Sequence, residues 1–321
     1  MTSGLKIAVI GAGGVGGFLS AMLASHLPDV TVVARGDRGR AISERGLVLH
    51  SDYKGEITAH PAVVPSVPEL GDLDAMDVLF ICVKNYSLEQ VLDELRHGKD
   101  GHPVIRNGTI LVPVMNGVDP GQRVRAALPG CRVIDSVIYI VAYADADYSI
   151  RQEGNFASMR IGTAQEGNEI AEAVRTVESI LKEADIDFRT ARDIEAAIWE
   201  KYILNAAFNV CTAAYDCNIG PLRDDPDKAA DYEAAIREAC ALARAKGVGI
   251  REDYEANMLN RFYNVLLDTD SSSLQRDVHA GKKSEVETFC GYSVREGKRL
   301  GVPMPVMEKM YQMLKDREAI I

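Results

Sequence analysis

Short apolar runs alternate with helical patterns in the first half of the chain. Leu5 to Ile10 is apolar, glycines follow at once, Gly17 to Leu27 has helical spacing, and Val30 to Ala34 is a second apolar run. That succession covers about 30 residues, the length of a βαβ unit. Further strands are predicted at residues 78–83, 109–114 and 133–142, with a hairpin or irregular strand pair at 149–161. Continuous apolar runs separated by helices indicate a parallel sheet that is covered on both faces.

The pattern changes after a predicted helix at residues 170–183 and a short strand at 186–189. From Ala191 onward only helical spacing recurs, at residues 193–214, 229–246, 253–267, 274–280 and 284–301 and again from Pro305. The predicted fold is α/β, with a mostly parallel sheet in a domain at residues 1–189 and an all-helical domain at 190–321. No Pro/Gly-rich linker separates the two, so we expect them to pack closely.

Composition and charge narrow the class of protein. The formal net charge is −11 over 321 residues, which argues against binding nucleic acid by neutralising phosphates. No apolar run reaches the roughly 18 residues of a membrane span, and a strand begins too early for a signal peptide. The six cysteines have neither CxxC nor zinc-finger spacing, so we expect reduced thiols and no bound metal. These features predict a cytoplasmic protein without nucleic-acid or membrane partners.

The segment GAGGVG directly follows the first predicted strand and has the spacing G-x-G-x-x-G. Its first glycine would allow a tight turn, its second the approach of a pyrophosphate, and its third the packing of helix on strand. The free N–H groups of the helix that begins there would face the anion. A glycine-rich turn without a ligand is the alternative. We predict a Rossmann-type nucleotide site formed by Gly11, Ala12, Gly13, Gly14, Val15 and Gly16.

The end of the second predicted strand indicates which dinucleotide is bound. An acidic residue about 20 positions past the glycines would bind the ribose hydroxyls of NAD, but here the strand ends in Val33, Ala34 and Arg35. An arginine can pair with a 2′-phosphate, so we predict NADPH as cofactor with Arg35 at that phosphate. For Arg38 and Arg40, which follow closely, a solvated surface is the favoured interpretation.

Lys84 and Asn116 each follow a predicted apolar strand at its carboxyl end. Ligands of open α/β sheets bind beyond those ends. A lysine and an amide at this edge would contact the nicotinamide ribose, the substrate or both; ordinary loop polarity is the alternative.

Three polar residues share one face of an otherwise apolar helix. Lys201, Asn205 and Asn209 are spaced i, i+4 and i+8, and the residues between them are mostly apolar. Because a helix that is apolar nearly all round is buried, these side chains line either a polar cleft or a structural network, and we favour the cleft. Reduction of a ketone needs a proton at oxygen, and burial would lower the pKa of Lys201 toward the range of a general acid.

The segment SSSLQRDVHAGKKSEVE is a second polar stretch, with Ser273 and Glu285 as candidates. Helix signals explain much of it without any function. Ser284 with Glu287 has the spacing of a capping box, and the helix dipole alone favours Glu285 in a first turn.

Taken together, these motifs resemble the ketopantoate reductases (2-dehydropantoate 2-reductases) over nearly the whole chain. The resemblance includes GAGGVG, VVARG, ICVKNYS, VMNGV, WEKYILNAAFNVCTA and SSSLQRDVHAGKKSEVE, in that order. It implies a Rossmann domain, a helical domain and an active site in the cleft between them. The implied reaction is NADPH-dependent reduction of 2-dehydropantoate to (R)-pantoate, a step of pantothenate and coenzyme A synthesis.

The resemblance also implies roles for single residues. Lys201 would donate the proton and Glu285, near the cofactor, would keep that lysine charged. The remaining roles divide between substrate and cofactor: Asn205, Asn209 and Ser273 as substrate ligands, Asn116 as a contact of both, and Arg35, Lys84 and the backbone of Ala142 as cofactor contacts.

Two departures bear on the substrate. Some members have proline where this chain has Val210, and some bind substrate through an asparagine where this chain has Ile219, with Asn218 displaced by one position. Related reductases of other 2-oxo acids are therefore an alternative. β-Hydroxyacid dehydrogenases, which also join a Rossmann domain to a helical one and use a Lys/Asn pair, are another. A non-catalytic NADPH sensor is a third, and the polar stripe on a buried helix, which a sensor would not need, counts against it. The expected partner is a small 2-oxo acid, and a homodimer is the assembly considered.

Overall fold

The computed structural model describes Thr2 and residues 4–318. The chain divides into two compact units, unit 1 over Met1–Ile194 and unit 2 over Glu195–Ile321. The change of hydrophobic pattern at residue 190 precedes this division by a few residues. In the described part of the chain, no helix combines the length and the apolar character needed to cross a membrane.

Unit 1 contains strands and helices in alternation. Its strands are β1 (Ile7–Ile10), β2 (Val30–Val33), β3 (Leu47–Ser51), β4 (Gly55–Ala59), β5 (Ala62–Val64), β6 (Val78–Ile81), β7 (Ile110–Pro113), β8 (Arg132–Val133), β9 (Asp135–Ala144), β10 (Ile150–Gly162) and β11 (Asp187–Thr190). Its helices are α1 (Gly14–His26), α2 (Gly36–Arg45), α3 (Leu88–His97), α4 (Pro120–Ala127) and α5 (Asn168–Glu183).

The first sheet is parallel, with strand order β5-β2-β1-β6-β7-β8. The chain runs outward from β1 to β2 and β5 and then crosses to β6 on the other side of β1. This change of direction creates a switch point between β1 and β6, where open α/β sheets bind their ligands.

Both faces of this sheet are covered. In β1, Ile7 and Val9 belong to one buried cluster, while Ala8 and Ile10 belong to another on the opposite face. The alternation follows from the two-residue period of a strand. The sequence-based α/β assignment, a Rossmann-type unit followed by helices, is confirmed.

A second sheet in unit 1 was not predicted. Its order is β11-β10-β3-β4, with β9 antiparallel to β10. β3 and β4 form a hairpin whose strands are only five residues long, too short for a clear period-2 signal. The hairpin or irregular pair expected at 149–161 is wrong, because β10 is one strand with an irregularity between Glu153 and Ser158 and pairs with β9.

In the described residues of unit 2, the regular secondary structure is helical. Its helices are α6 (Ile194–Tyr215), α7 (Ile219–Asp224), α8 (Pro226–Ala245), α9 (Tyr254–Asn264), α10 (Ser273–His279), α11 (Tyr292–Leu300) and α12 (Pro305–Glu318). The short α7 was not predicted. Directly before α11, the residues Glu287–Gly291 form a π-helical turn, so the helix expected at 284–301 is one continuous but irregular segment.

Candidate active site

The predicted cofactor residues of unit 1 lie at the carboxyl ends of four neighbouring strands. Gly11 follows β1, Arg35 lies just beyond β2, Lys84 follows β6 and Asn116 follows β7. Ile81 and Pro113 are paired in the sheet, and Lys84 and Asn116 each come three residues later. The two side chains therefore occupy equivalent positions at the edge that includes the switch point.

At most glycines of the GAGGVG loop, neighbouring protein atoms leave too little space for a side chain. Gly11 has φ +101°, a conformation that side chains disfavour, and a Cβ there would lie 3.0 Å from the Cys82 carbonyl oxygen. A Cβ on Gly14 would collide with the backbone of Ala142, and one on Gly16 would collide with the Gly11 carbonyl oxygen. Helix α1 can begin inside the loop only because these side chains are missing.

Gly13 is different from the other glycines of the loop. Its φ is −78°, which any residue adopts, and a Cβ built on it would meet no described atom within 4 Å. The open space over Gly13 is what a pyrophosphate approaching the backbone needs. Helix α1 has no acidic residue in its first turn, so no carboxylate there would oppose the attraction of its N-terminal dipole for an anion. The loop thus fits a dinucleotide.

The arginines after β2 have three different environments. Arg35, the residue before α2, keeps a side chain 60% exposed and lies 3.5 Å from the Glu94 carboxylate. Arg40 is exposed and pairs with Asp37. Arg38 does not have the solvated surface position that the sequence favoured: its Nη1 donates to the Ala12 carbonyl oxygen at 2.5 Å.

Arg38 also lies over the Tyr148 ring, 5.6 Å from its centroid. Burial lowers the pKa of its guanidinium from the usual value. Two arginines, one exposed and one packed on the glycine loop, are thus available to an anionic group near β2. Glu94 brings a carboxylate to the same place, and its Oε2 is buried without a hydrogen-bonding partner among the described residues.

Asn85, which was not predicted from sequence as a site residue, connects the loops that carry Lys84 and Asn116. Its Nδ2 donates to the Asn116 carbonyl oxygen at 2.5 Å, and its Oδ1 accepts from Arg123 at 3.0 Å. The side chain is buried. Because the bond joins residues 31 positions apart, it fixes the two loops relative to each other.

In unit 2, helix α6 presents the predicted stripe. Tyr202, Ile203, Ala206, Ala207 and Val210 are at most 2% exposed. Lys201 and Asn205 are half-buried on one face, and Asn209 is 5% exposed. The helix is thus enclosed on its apolar sides, while the stripe begins at a partly open surface and ends in the interior.

Lys201 has the pKa of a group that can exchange protons near neutrality. Burial lowers its pKa to about 8, and the negative charge of Glu285 opposes that shift. Glu285 is 4% exposed, so its charge acts on Lys201 with little screening by water. The structure therefore brings together the two residues that the resemblance paired.

The Ser273 segment is held in place by its neighbour. Ser272 is the N-cap of α10, and its Oγ accepts from the Gln275 N–H at 3.0 Å. Thr212 of α6 donates to the same Oγ at 2.7 Å. This buried link ties the start of α10 to the Asn209 end of the stripe and leaves the capping role to Ser272 rather than Ser273.

The capping box expected from Ser284 and Glu287 is wrong. Glu287 accepts from Arg295 at 2.8 Å and from Tyr311 at 2.6 Å instead. Ser284 donates to Glu318 at 2.7 Å. A π-turn places residues differently from an α-helix, and so Glu287 cannot reach back as the motif requires.

Two polar residues near the start of α10 were not chosen from sequence as site residues. Asn218, the N-cap of α7, accepts from Gln275 Nε2 at 3.4 Å. Gln275 Oε1 is buried and has no hydrogen-bonding partner in the described part of the chain. Ile219, at the position of a polar ligand in some ketopantoate reductases, is fully buried. The displaced Asn218 therefore keeps an amide close to the Ser273 segment.

Each unit thus assembles its own set of groups. Unit 1 provides a loop for a dinucleotide with cationic and amide side chains at the same sheet edge, and unit 2 provides a lysine of lowered pKa beside a carboxylate and two asparagines. Among the described residues, no group of three or more His, Cys, Asp or Glu side chains has the arrangement of a metal site.

Comparison with known proteins gives a consistent result. Residues 7–166 match the family model of ketopantoate reductase PanE/ApbA, and residues 193–318 match the model of its C-terminal part. An uncharacterized oxidoreductase of Bacillus subtilis, YkpB, is 28% identical over 98% of this chain and 99% of its own. A 2-dehydropantoate 2-reductase of Methylococcus capsulatus superimposes with a TM-score of 0.84 at 28% identity, covering 98% of this chain and 97% of its own.

Two more distant structures share the fold. A D-mandelate dehydrogenase solved with NADH and anilino(oxo)acetate has a TM-score of 0.85 at 19% identity, over 98% of this chain and 99% of its own. A dimeric ketopantoate reductase of Staphylococcus aureus has a TM-score of 0.80 at 20% identity, over the same shares.

Proposed function

Because this chain belongs to the ketopantoate reductase family, we propose that it reduces 2-dehydropantoate to (R)-pantoate with NADPH, as a step of pantothenate and coenzyme A synthesis. The observation that carries the proposal is the Lys201–Glu285 pair beside the asparagine stripe of α6. A nucleotide-binding protein without chemistry would have no need of a lysine whose pKa is lowered to about 8.

The residues of unit 2 have separate roles in binding and protonating the substrate. The nicotinamide cofactor supplies the hydride when bound. Lys201 donates the proton to the ketone oxygen, and Glu285 favours the charged form of Lys201 that has this proton to give. Asn205, Asn209 and Ser273 bind the carboxylate and hydroxyl groups, so that the carbonyl lies at the lysine.

The residues of unit 1 hold the cofactor. The backbone of Gly11 to Gly16 binds the pyrophosphate, since the space over Gly13 is open. Lys84, Asn116 and the backbone of Ala142 contact the nicotinamide side, and Arg35 pairs with the 2′-phosphate. A homodimer is the proposed assembly, as the Staphylococcus aureus relative is dimeric.

Specific observations favour a second candidate, an NADH-dependent reductase of another 2-oxo acid. Glu94 places a carboxylate beside Arg35, and a carboxylate near this position is what NAD-binding enzymes present to the ribose hydroxyls. Ile219 is buried where some ketopantoate reductases have a polar substrate ligand. The D-mandelate dehydrogenase of similar fold was solved with NADH.

The test is a matrix of two cofactors and several 2-oxo acids. Oxidation of NADPH and of NADH is measured with 2-dehydropantoate, its analogue without the hydroxyl group, pyruvate and the 2-oxo acid of mandelate. We expect kcat/KM with NADPH and 2-dehydropantoate to exceed every other combination by about tenfold or more, a margin of about 1.4 kcal/mol. A different preferred acid or NADH would support the second candidate, and binding of NADPH without any turnover would support a sensor.

A further inference from the structure

Glu285, whose charge acts on Lys201, is distant from it in sequence and directly precedes an irregular helical segment. Glu285 lies immediately before the helical segment that begins at Val286. Its carbonyl oxygen accepts from the N–H groups of Thr288 and Phe289, at 2.9 and 3.2 Å. The main chain of Glu285 is thus bonded directly to the π-turn at Glu287–Gly291, which fixes the point from which its side chain extends.

The residue next to Lys201 is bonded to the same turn. The Tyr202 hydroxyl donates to the Phe289 carbonyl oxygen at 2.6 Å and lies 2.8 Å from Ser293 Oγ. It also approaches the Thr288 carbonyl oxygen, at 3.4 Å. Tyr202 is 2% exposed, so water is a poor substitute for these bonds.

The Tyr202 hydroxyl donates to a helix from outside it, at a place where that helix is irregular. The wider turn bonds the Tyr292 N–H to the Glu287 carbonyl oxygen, five residues back, and so interrupts the regular series of α-helical bonds. A donor from another element adds a bond to a carbonyl of such a turn. Tyr202 supplies one to the Phe289 carbonyl oxygen from α6, the helix that carries Lys201.

These interactions link Tyr202, Phe289, Glu285 and Lys201 in a closed series. Tyr202 bonds to Phe289, Phe289 bonds to Glu285, the Glu285 charge acts on Lys201, and Lys201 is covalently linked to Tyr202. We propose that Tyr202 is a positioning residue, whose hydroxyl holds the π-turn and thereby keeps Glu285 beside Lys201. This inference rests on the proposed function, because it assigns Tyr202 a purpose in the proton donation by Lys201.

Other charged groups near Lys201 do not offer the same control. Glu200, its neighbour in sequence, pairs with Arg251 at 3.4 Å. Glu285 is the group whose charge raises the pKa of Lys201. A displacement of Glu285 would therefore leave burial as the main influence and lower that pKa further.

The experiment measures Lys201 directly, without turnover. The intact protein is acylated at a series of pH values, and the rate at Lys201 is followed by mass spectrometry, because only the neutral amine reacts. Tyr202→Phe keeps the ring and removes the hydroxyl. We expect the pH midpoint of Lys201 acylation to fall by about half a pH unit or more, and to fall at least as far in Glu285→Gln.

The double variant decides between positioning and general loosening. If Tyr202 acts through Glu285, Tyr202→Phe added to Glu285→Gln changes the midpoint no further. Additive shifts, or an unchanged midpoint in Tyr202→Phe, would overturn the proposal. Ser293→Ala removes the other hydrogen-bonding partner of the Tyr202 hydroxyl and serves as the test if Tyr202→Phe does not fold. We expect the pH midpoint of Lys201 acylation to fall in this variant by less than in Tyr202→Phe, and an unchanged midpoint would count against the proposal.

Tyr292→Phe is the matched control. Tyr292 belongs to the same aromatic cluster, with its ring 5.8 Å from that of Tyr202, but its hydroxyl bonds to Lys246. We expect the Lys201 midpoint to stay unchanged, and an equal fall would mean that loosening of the cluster, not positioning, explains the result. The proposed function fails separately: Lys201→Ala with normal turnover would remove Lys201 from the chemistry whatever the acylation shows.

Discussion

The glycine loop of unit 1 and helix α6 of unit 2 are both suited to bind a ligand. The loop would do so with main-chain atoms, and α6 with its side chains. At the loop, the important feature is the absence of side chains: Gly14 and Gly16 let backbone segments meet, and Gly13 leaves open space. On α6 the side chains themselves matter, and the charge of Lys201 depends on burial and on Glu285.

This difference predicts how each region responds to change. Main-chain N–H groups do not titrate, and a loop fixed by close packing either fits or does not. A half-buried lysine on which a carboxylate charge acts responds to pH and to small displacements of that carboxylate. Substitutions in unit 1 should therefore alter cofactor binding, and those around Lys201 should alter turnover and its pH dependence.

Replacing Lys201 should have the largest effect. Lys201→Ala removes the proton donor, and kcat should fall by about 100-fold or more, the range of general acid catalysis. NADPH should still bind, since the glycine loop belongs to unit 1. Steady-state kinetics and fluorescence titration with NADPH measure the two quantities.

Lys282, an exposed residue shortly before Glu285 in sequence, offers a control for the loss of a lysine charge. Lys282→Ala should change kcat by less than about twofold, because surface charges are screened by water. Near-normal turnover in Lys201→Ala would exclude the lysine from the chemistry, and loss of NADPH binding in that variant would break the proposed division between the two regions.

The next largest effect is expected at the proposed cofactor site of unit 1. Arg35→Asp should weaken NADPH binding by roughly 10- to 100-fold, which corresponds to the roughly 1.5–3 kcal/mol of a hydrogen bond to a charged group. NADH lacks the 2′-phosphate and should be affected much less. Dissociation constants of both cofactors are the measurement, and kcat with saturating NADPH should change little.

Arg40→Asp makes the same charge change at an exposed residue that pairs with Asp37. It should alter the ratio of the two dissociation constants by less than about threefold, as expected for an exposed ion pair. If Arg35→Asp weakens NADPH and NADH equally, Arg35 does not bind the 2′-phosphate.

In both regions the sequence could predict local features but not the contacts between distant residues. The glycine spacing, the strand before it and the stripe on α6 all arise from local periodicity, and these elements were found. Tyr202 and Asn85 act through bonds to residues 87 and 31 positions away, and Arg38 reaches Ala12 across 26. Such partners depend on how distant elements pack, which a single sequence does not show.

Gly13 and Gly16 provide a smaller but sharper comparison. A methyl group at Gly13 meets no atom of the described residues within 4 Å, so Gly13→Ala should keep the melting temperature. NADPH binding should weaken by about tenfold, about 1.4 kcal/mol, because the methyl group enters the space of the pyrophosphate. Gly16→Ala collides with the Gly11 carbonyl oxygen and should lower the melting temperature as well. Thermal unfolding and NADPH titration of both variants test this, and unchanged binding in Gly13→Ala would contradict a pyrophosphate at this position.

The smallest effect needs no substitution. A general acid must be protonated, and the pKa of Lys201 is about 8, so kcat/KM for reduction should be constant well below pH 8 and fall about tenfold per unit well above it. Between pH 7 and pH 8 the fall should be only about twofold. The dissociation constant of NADPH, measured from pH 7 to pH 9, should vary much less, since an arginine does not titrate there. If the affinity for NADPH and kcat/KM fall together as the pH rises, Lys201 does not control the reaction separately from the cofactor site of unit 1. The contrast between the two regions would then be lost.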